Sequence, residues 1–191
     1  MTHKLFEIYA SPTVAQNGIG KAVKIEFVQP SKMLQIVMST TGSSAFVLFL
    51  KSRGLEIPAP GKAFHSPLSA ILSTAPATFL VIDNHTLPSE KNELQNRNVV
   101  GTLVVDMSYA MDVVRLEGQG VNKLLSKLLP LDIQYLRRGG QFAAQTVCEG
   151  IPALVWSTAE CDGVCIAVPI SYSQALRHQI KIHLNSANTI Q

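Results

Sequence analysis

At 191 residues, 47% of them apolar and only 15% charged, the chain is long enough to bury a core without disulfides or metals and too apolar for a disordered segment. Sixteen Lys and Arg against 13 Asp and Glu leave a net charge of +3 with no run of like charges, which argues against nucleic acid as a partner. Cys148, Cys161 and Cys165 are an odd count with no C-x-x-C pair. The longest unbroken apolar run is Ala45 to Leu50, and the N-terminus has no export segment. We therefore expect no disulfide framework, zinc site or membrane partner, and a cytoplasmic localisation.

In chain order, residues 1–30 read as an N-terminal arm followed by an edge strand in which Val23, Ile25 and Phe27 alternate. Met33 to Met38 forms a second strand. Thr41, Gly42 and Ser43 supply turn and N-cap chemistry for a helix whose Phe46, Phe49 and Leu50 share a face, and Gly54 closes it. Pro58, Ala59, Pro60 and Gly61 exclude regular structure. Residues 68–72 and 78–82 read as strands around a turn at Ala75 and Pro76. Pro88, Ser89 and Glu93 open a short polar helix, and Val99 to Val105 reads as a buried strand.

The second half starts near Asp106 and runs strand (Asp112 to Leu116), helix (Gly120 to Leu128), strand near Ile133 and glycine turn (Gly139, Gly140). A hairpin (Phe142 to Cys148, Pro152 to Trp156), a strand (Val164 to Pro169) and a helix follow, the helix carrying a capping box of Ser171 and Gln174. From Gly118 the steps of seven, nine, thirteen and fifteen residues reach Leu125, Lys127, Leu131 and Ile133. From Gly42 the same steps reach Phe49, Lys51, Leu55 and Ile57. One folding unit used twice explains this: residues 31–105 and 106–191 as two β-α-β-β-α-β halves of one compact α+β unit, each with an antiparallel sheet covered by helices on one face.

Motifs that carry chemistry are sparse. No Gly-x-Ser-x-Gly elbow is present, and among His3, His65, His85, His178 and His183 only an i, i+5 pair occurs, unsuited to a helical metal face. Gly18-Ile19-Gly20 and Gly118-Gln119-Gly120 lack the third glycine of a dinucleotide fingerprint and read as strand-to-helix turns. Arg137, Arg138, Gly139 and Gly140 can hold an anion, but a solvated hairpin turn is the preferred reading. Asp106-Met107-Ser108 is a turn-capping cluster before it is a ligand site. Trp156, Tyr109, Tyr135 and Tyr172 are packing residues, and Arg177, His178, Lys181 and His183 mark a solvated, mildly basic helix face.

Three segments resemble the gamma subunit of heterotetrameric sarcosine oxidase, itself similar to the folate-binding fold of the glycine-cleavage aminomethyltransferase, or T-protein. They are Phe49-Leu-Lys-Ser-Arg-Gly-Leu-Glu-Ile-Pro-Ala-Pro-Gly61; Ala75-Pro76-Ala-Thr-Phe79-Leu-Val, where the family commonly has Gly-Pro-x-x-Trp-Leu; and Asp106-Met-Ser108 through Arg115-Leu-Glu-Gly-Gln-Gly120 and Leu124-Leu125 to Asp132, then Gly140, Gln145 and Ser171-Tyr172. The resemblance covers roughly residues 33–183. It implies a noncatalytic subunit that packs on the alpha subunit, with beta and delta in the same complex. FAD, FMN, NAD and tetrahydrofolate are then expected in the partner subunits, and no catalytic, cofactor-binding or metal-binding residue in this chain.

The T-protein family places a paired Asp-Asp segment after the hairpin turn, whereas Glu149-Gly-Ile-Pro-Ala-Leu-Val-Trp156 retains one acid, read as solvated. The Lys-Gly-Cys-x-x-Gly-Gln-Glu segment of the related iron–sulfur repair proteins is also absent. A stand-alone folate-binding or aminomethyltransferase-like protein is the competing reading.

Overall fold

The computed structural model describes residues 13–17, 21–30, 32–39, 44–52, 54–66, 69–83, 102–138, 140–160 and 162–186. In chain order the elements are β1 (Thr13–Asn17), β2 (Lys21–Val28), β3 (Lys32–Met38), α1 (Ser44–Ser52), β4 (Ala63–His65), β5 (Ser69–Ala75), β6 (Thr78–Asp83), β7 (Thr102–Asp106) and β8 (Met111–Glu117). After them come α2 (Val121–Leu128), α3 (Ile133–Arg138), β9 (Ala143–Cys148), β10 (Ile151–Ser157), β11 (Gly163–Pro169), a 3-10 turn (Ile170–Tyr172) and α4 (Ser173–Ser186).

The strands form two antiparallel sheets, ordered β1-β2-β8-β11-β10-β9 and β4-β5-β6-β3-β7. Alternation along each strand sends side chains to opposite faces, and both faces are put to use. On the six-stranded sheet Val114, Leu116, Val155 and Ile166 pack against α2, α3 and α4, through Leu124, Leu128, Ile133, Leu176 and Ile180. Val113, Leu154, Trp156 and Ala167 meet Met33, Ala70, Leu72, Leu80 and Ile82 of the second sheet. That sheet's other face, with Ile36, Ile71 and Phe79, is covered by Phe46 and Leu50 of α1. The molecule is therefore four layers deep, helix, sheet, sheet, helix.

The repeat is real, but its halves exchange a strand. The orders β4-β5-β6-β3-β7 and β9-β10-β11-β8-β2 correspond position by position. Yet β2 leads in sequence to β3 and pairs with β8, while β7 leads to β8 and pairs with β3. The two connections cross where Gln29 Nε2 donates to the Ser108 carbonyl at 2.8 Å, Met33 N–H to Ser108 Oγ at 3.0 Å and Met107 N–H to the Met33 carbonyl at 2.8 Å. β1 and β2 thus belong to the sheet built mainly from residues 111–169.

Several local expectations change. β2 is an interior strand, not an edge, because β1 continues the sheet beyond it. The strand expected as buried from Val99 to Val105 is the edge strand β7, with Leu103 61% exposed. Ile133 starts a helix rather than a strand: Ile133 and Leu136 share its inner face, and Leu136 N–H bonds the Asp132 carbonyl. Ser171 lies in the 3-10 turn, so it does not cap α4. The two glycine-led segments also diverge, since Ile57 is exposed in a loop while Ile133 is buried on a helix. The arm before residue 13 and the polar helix at Pro88, Ser89 and Glu93 lie outside the described residues.

Candidate functional site

A pocket of about 290 Å³ opens at the rim between the two sheets. Val28 of β2 and Val113 and Arg115 of β8 form one wall with Trp156 of β10 and Cys165 of β11. His65 of β4, Ala70 of β5 and Ile82 of β6 form the facing wall. Register explains the grouping: Val28 pairs with Val113, Arg115 with Cys165, and Cys165 with Trp156, so these side chains share one face of the sheet.

The turn at 158–162 closes the rim. Thr158 Oγ1 donates to Asp162 Oδ1 at 2.7 Å and accepts the Gly163 N–H at 3.0 Å. A Cβ on Gly163 would stand 2.8 Å from the Leu116 carbonyl oxygen, so glycine is what allows β11 to approach β8 there.

Charge at the rim is paired. Arg115 Nη2 contacts Glu117 Oε1, and Lys24 Nζ lies 3.3 Å from Glu117 Oε2. Burial works against the Arg115 charge, and the Glu117 carboxylate more than compensates, raising its pKa. Burial holds the His65 imidazole below its ordinary value against the Ser157 carbonyl and Glu160, which favour protonation. Burial also pushes the Cys165 thiol up to about 12 and Cys148 up to about 11, so both stay protonated and poorly nucleophilic at neutral pH. Among the described residues, no three His, Cys, Asp or Glu side chains gather into a metal-binding group, and no helix is long and apolar enough to cross a membrane.

No family model and no curated protein matches the sequence. Among solved structures the chain is similar to one in the heterotetrameric sarcosine oxidase from Corynebacterium sp. U-96 in complex with pyrrole 2-carboxylate. The TM-score is 0.77 and the identity 23%, over 89% of this chain and 87% of that one. The two share a fold. The chain is also similar to the glycine cleavage system aminomethyltransferase T from Bartonella henselae, with TM-score 0.60 and 15% identity over 82% of its length, while spanning only 44% of that protein. The α+β, T-protein-like architecture with two antiparallel sheets is therefore the observed one.

Within this sarcosine oxidase-like fold the sequence motifs separate. Asp106 Oδ1 accepts the Ser108 N–H at 3.0 Å and the Ser108 hydroxyl at 2.5 Å, while Lys32 Nζ lies 3.2 Å from Oδ2; the cluster ties the strand crossing. Gly118 sits at φ +105 and Gly120 precedes α2, two backbone positions of a strand-to-helix turn. Residues 18–20 lie outside the described residues and connect two antiparallel strands, not a strand and a helix.

Arg137 and Arg138 end α3 rather than forming a hairpin turn, and their side chains lie outside the described residues, as does the Tyr135 side chain. Glu149, at φ +49 in the β9–β10 turn, is not simply solvated, since its Oε1 lies 3.5 Å from His183 Nε2. His178 and Lys181 are exposed on α4, but Arg177 is engaged, its guanidinium 3.5 Å over the Phe27 ring. Tyr109 is 82% exposed, whereas Trp156 is buried between the sheets. His3, His85 and Cys161 lie outside the described residues. The sequence reading missed His65 and Arg115 as partners across one pocket, because nothing in linear spacing pairs β4 with β8.

Proposed function

We propose that this chain is the noncatalytic gamma subunit of a heterotetrameric, flavin-dependent sarcosine oxidase or of a close relative acting on another N-methyl amino acid, packing on the large alpha subunit. One observation carries the reading: the similarity spans nearly the whole of both this chain and the chain from the heterotetrameric enzyme, and under half of the aminomethyltransferase. In that setting FAD, FMN, NAD and tetrahydrofolate belong to the partner chains.

Surface chemistry supports a partner. Tyr109, Ile170 and Tyr172 are exposed and neighbours, since Ile170 N–H bonds the Ala110 carbonyl beside Tyr109. Exposed large apolar and aromatic side chains close together in the fold are the composition of an interface core. The elevated thiol pKa values of Cys148 and Cys165 also leave these two residues unsuited to nucleophilic catalysis.

Calorimetric titration of the purified chain with tetrahydrofolate, FAD and FMN tests the reading. Absence of saturable binding is expected. Tight tetrahydrofolate binding would overturn it in favour of a stand-alone folate-binding or aminomethyltransferase-like protein.

A further inference from the structure

The inter-sheet pocket brings together two side-chain nitrogens that make no hydrogen bond among the described residues. Among the described residues, Arg115 Nε and His65 Nε2 are both shielded from solvent and have no hydrogen-bond partner, and both residues line the same cavity. A buried donor or acceptor left unmade costs its full desolvation, and native structures keep few of them. Two in the wall of one cavity mark the place of a ligand's polar edge.

Size and charge narrow the ligand. About 290 Å³ stands at the small end of the roughly 300–1,000 Å³ of ordinary ligand pockets, room for one ring and not for a folate or a flavin. Arg115 is already paired with Glu117, Glu160 adds a carboxylate to the wall, and burial keeps His65 neutral, so no net positive field favours an anion. Trp156 in the pocket wall supplies an aromatic surface against which a flat ring can stack.

We propose that this pocket binds a small, uncharged, single-ring molecule bearing a carboxamide or equivalent amide edge. The carbonyl oxygen takes the Arg115 Nε–H. His65 Nε2 serves the other side of the edge, donating to the same oxygen or accepting the amide N–H according to its tautomer. The site stands apart from the subunit reading and survives or fails without it.

Trp156 is the only tryptophan of the chain and lines the pocket, so its emission reports occupancy directly. The full chain is titrated with benzamide, benzoate and toluene as probes. Benzamide should give a saturable change at an affinity at least about tenfold above the other two; His65→Leu should weaken it about five- to tenfold, the loss of one neutral hydrogen bond, and Arg115→Met at least about tenfold, the loss of a charge-assisted one. Toluene should be indifferent to both variants. No saturable change with benzamide, equal binding of toluene, or tighter binding of benzoate overturns the proposal. The comparison of probes on the unsubstituted chain decides it even where a variant does not fold.

Discussion

Asp112 is buried on β8 and gathers two side chains of α4: Ser173 donates its hydroxyl to Oδ2, and Arg177 Nη2 lies 3.2 Å from the same oxygen. Arg177 Nε also donates to Ser173 Oγ at 3.3 Å, and its guanidinium rests on Phe27, so one carboxylate anchors the last helix to the sheet. Asp112→Ala removes the buried acceptor that Ser173 and Arg177 share and should cost about 1–3 kcal/mol in urea denaturation. Asp112→Asn, which keeps an acceptor, should cost less. A second residue-scale effect is pH dependence. Burial lowers the folded-state pKa of His65 below 6.5, so the unfolded chain binds the proton more tightly. Its contribution is fully present above 6.5 and is lost as pH falls through the folded value. Asp106 follows at lower pH. Burial raises its carboxyl, but the Ser108 hydroxyl, the Ser108 N–H and Lys32 hold it below 3.8, and that contribution fades as pH drops further. Urea midpoints should decline in two steps, and His65→Gln should remove the first; an unchanged profile in that variant would contradict the assignment.

At the scale of elements, two glycines separate backbone strain from crowding. Gly54 has φ +65 at the end of α1 with open space around its Cβ position, and Leu55 N–H bonds the Leu50 carbonyl to close the helix. Gly54→Ala should cost about 1 kcal/mol, purely from the backbone. Gly163→Ala places a methyl against the backbone of β8 and should cost about 2–3 kcal/mol, with weakened amide protection along the β8–β11 ladder. Hydrogen exchange on the two variants distinguishes these effects. Elements with a strong local signal were legible in the sequence: β3, β5, β6 and β10 are short apolar runs bounded by turns, and α1 and α2 repeat their apolar residues at helical spacing. Pairing was not. Alternation at Val23, Ile25 and Phe27 shows two faces but not that β1 lies beyond β2, and the apolar stretch before Asp106 looks buried although it ends at a sheet edge. Ile133 carried too short a pattern to tell helix from strand, though Asp132 before it was an N-cap signal. The pocket depends on residues from seven strands, a grouping that only the tertiary pairing creates.

For the whole molecule, strand exchange makes the two halves depend on each other. β2 completes the sheet of the second half and β7 that of the first, and the Asp106–Ser108 cluster fastens the crossing between them. Neither sheet keeps its order without the other half, so the chain should unfold in one cooperative transition rather than two. Tyr109, Ile170 and Tyr172 are exposed on this four-layer body, with Ile170 bonded to the residue next to Tyr109, and they are where the proposed partner would dock. The most direct measurement is co-expression of this chain with the large flavoprotein subunit of a heterotetrameric sarcosine oxidase from the same source, followed by affinity purification and light scattering. The account predicts a stoichiometric complex that survives gel filtration and dissociates on Tyr109→Asp combined with Ile170→Asp. A chain that elutes alone beside a fully assembled, active flavoprotein would contradict it.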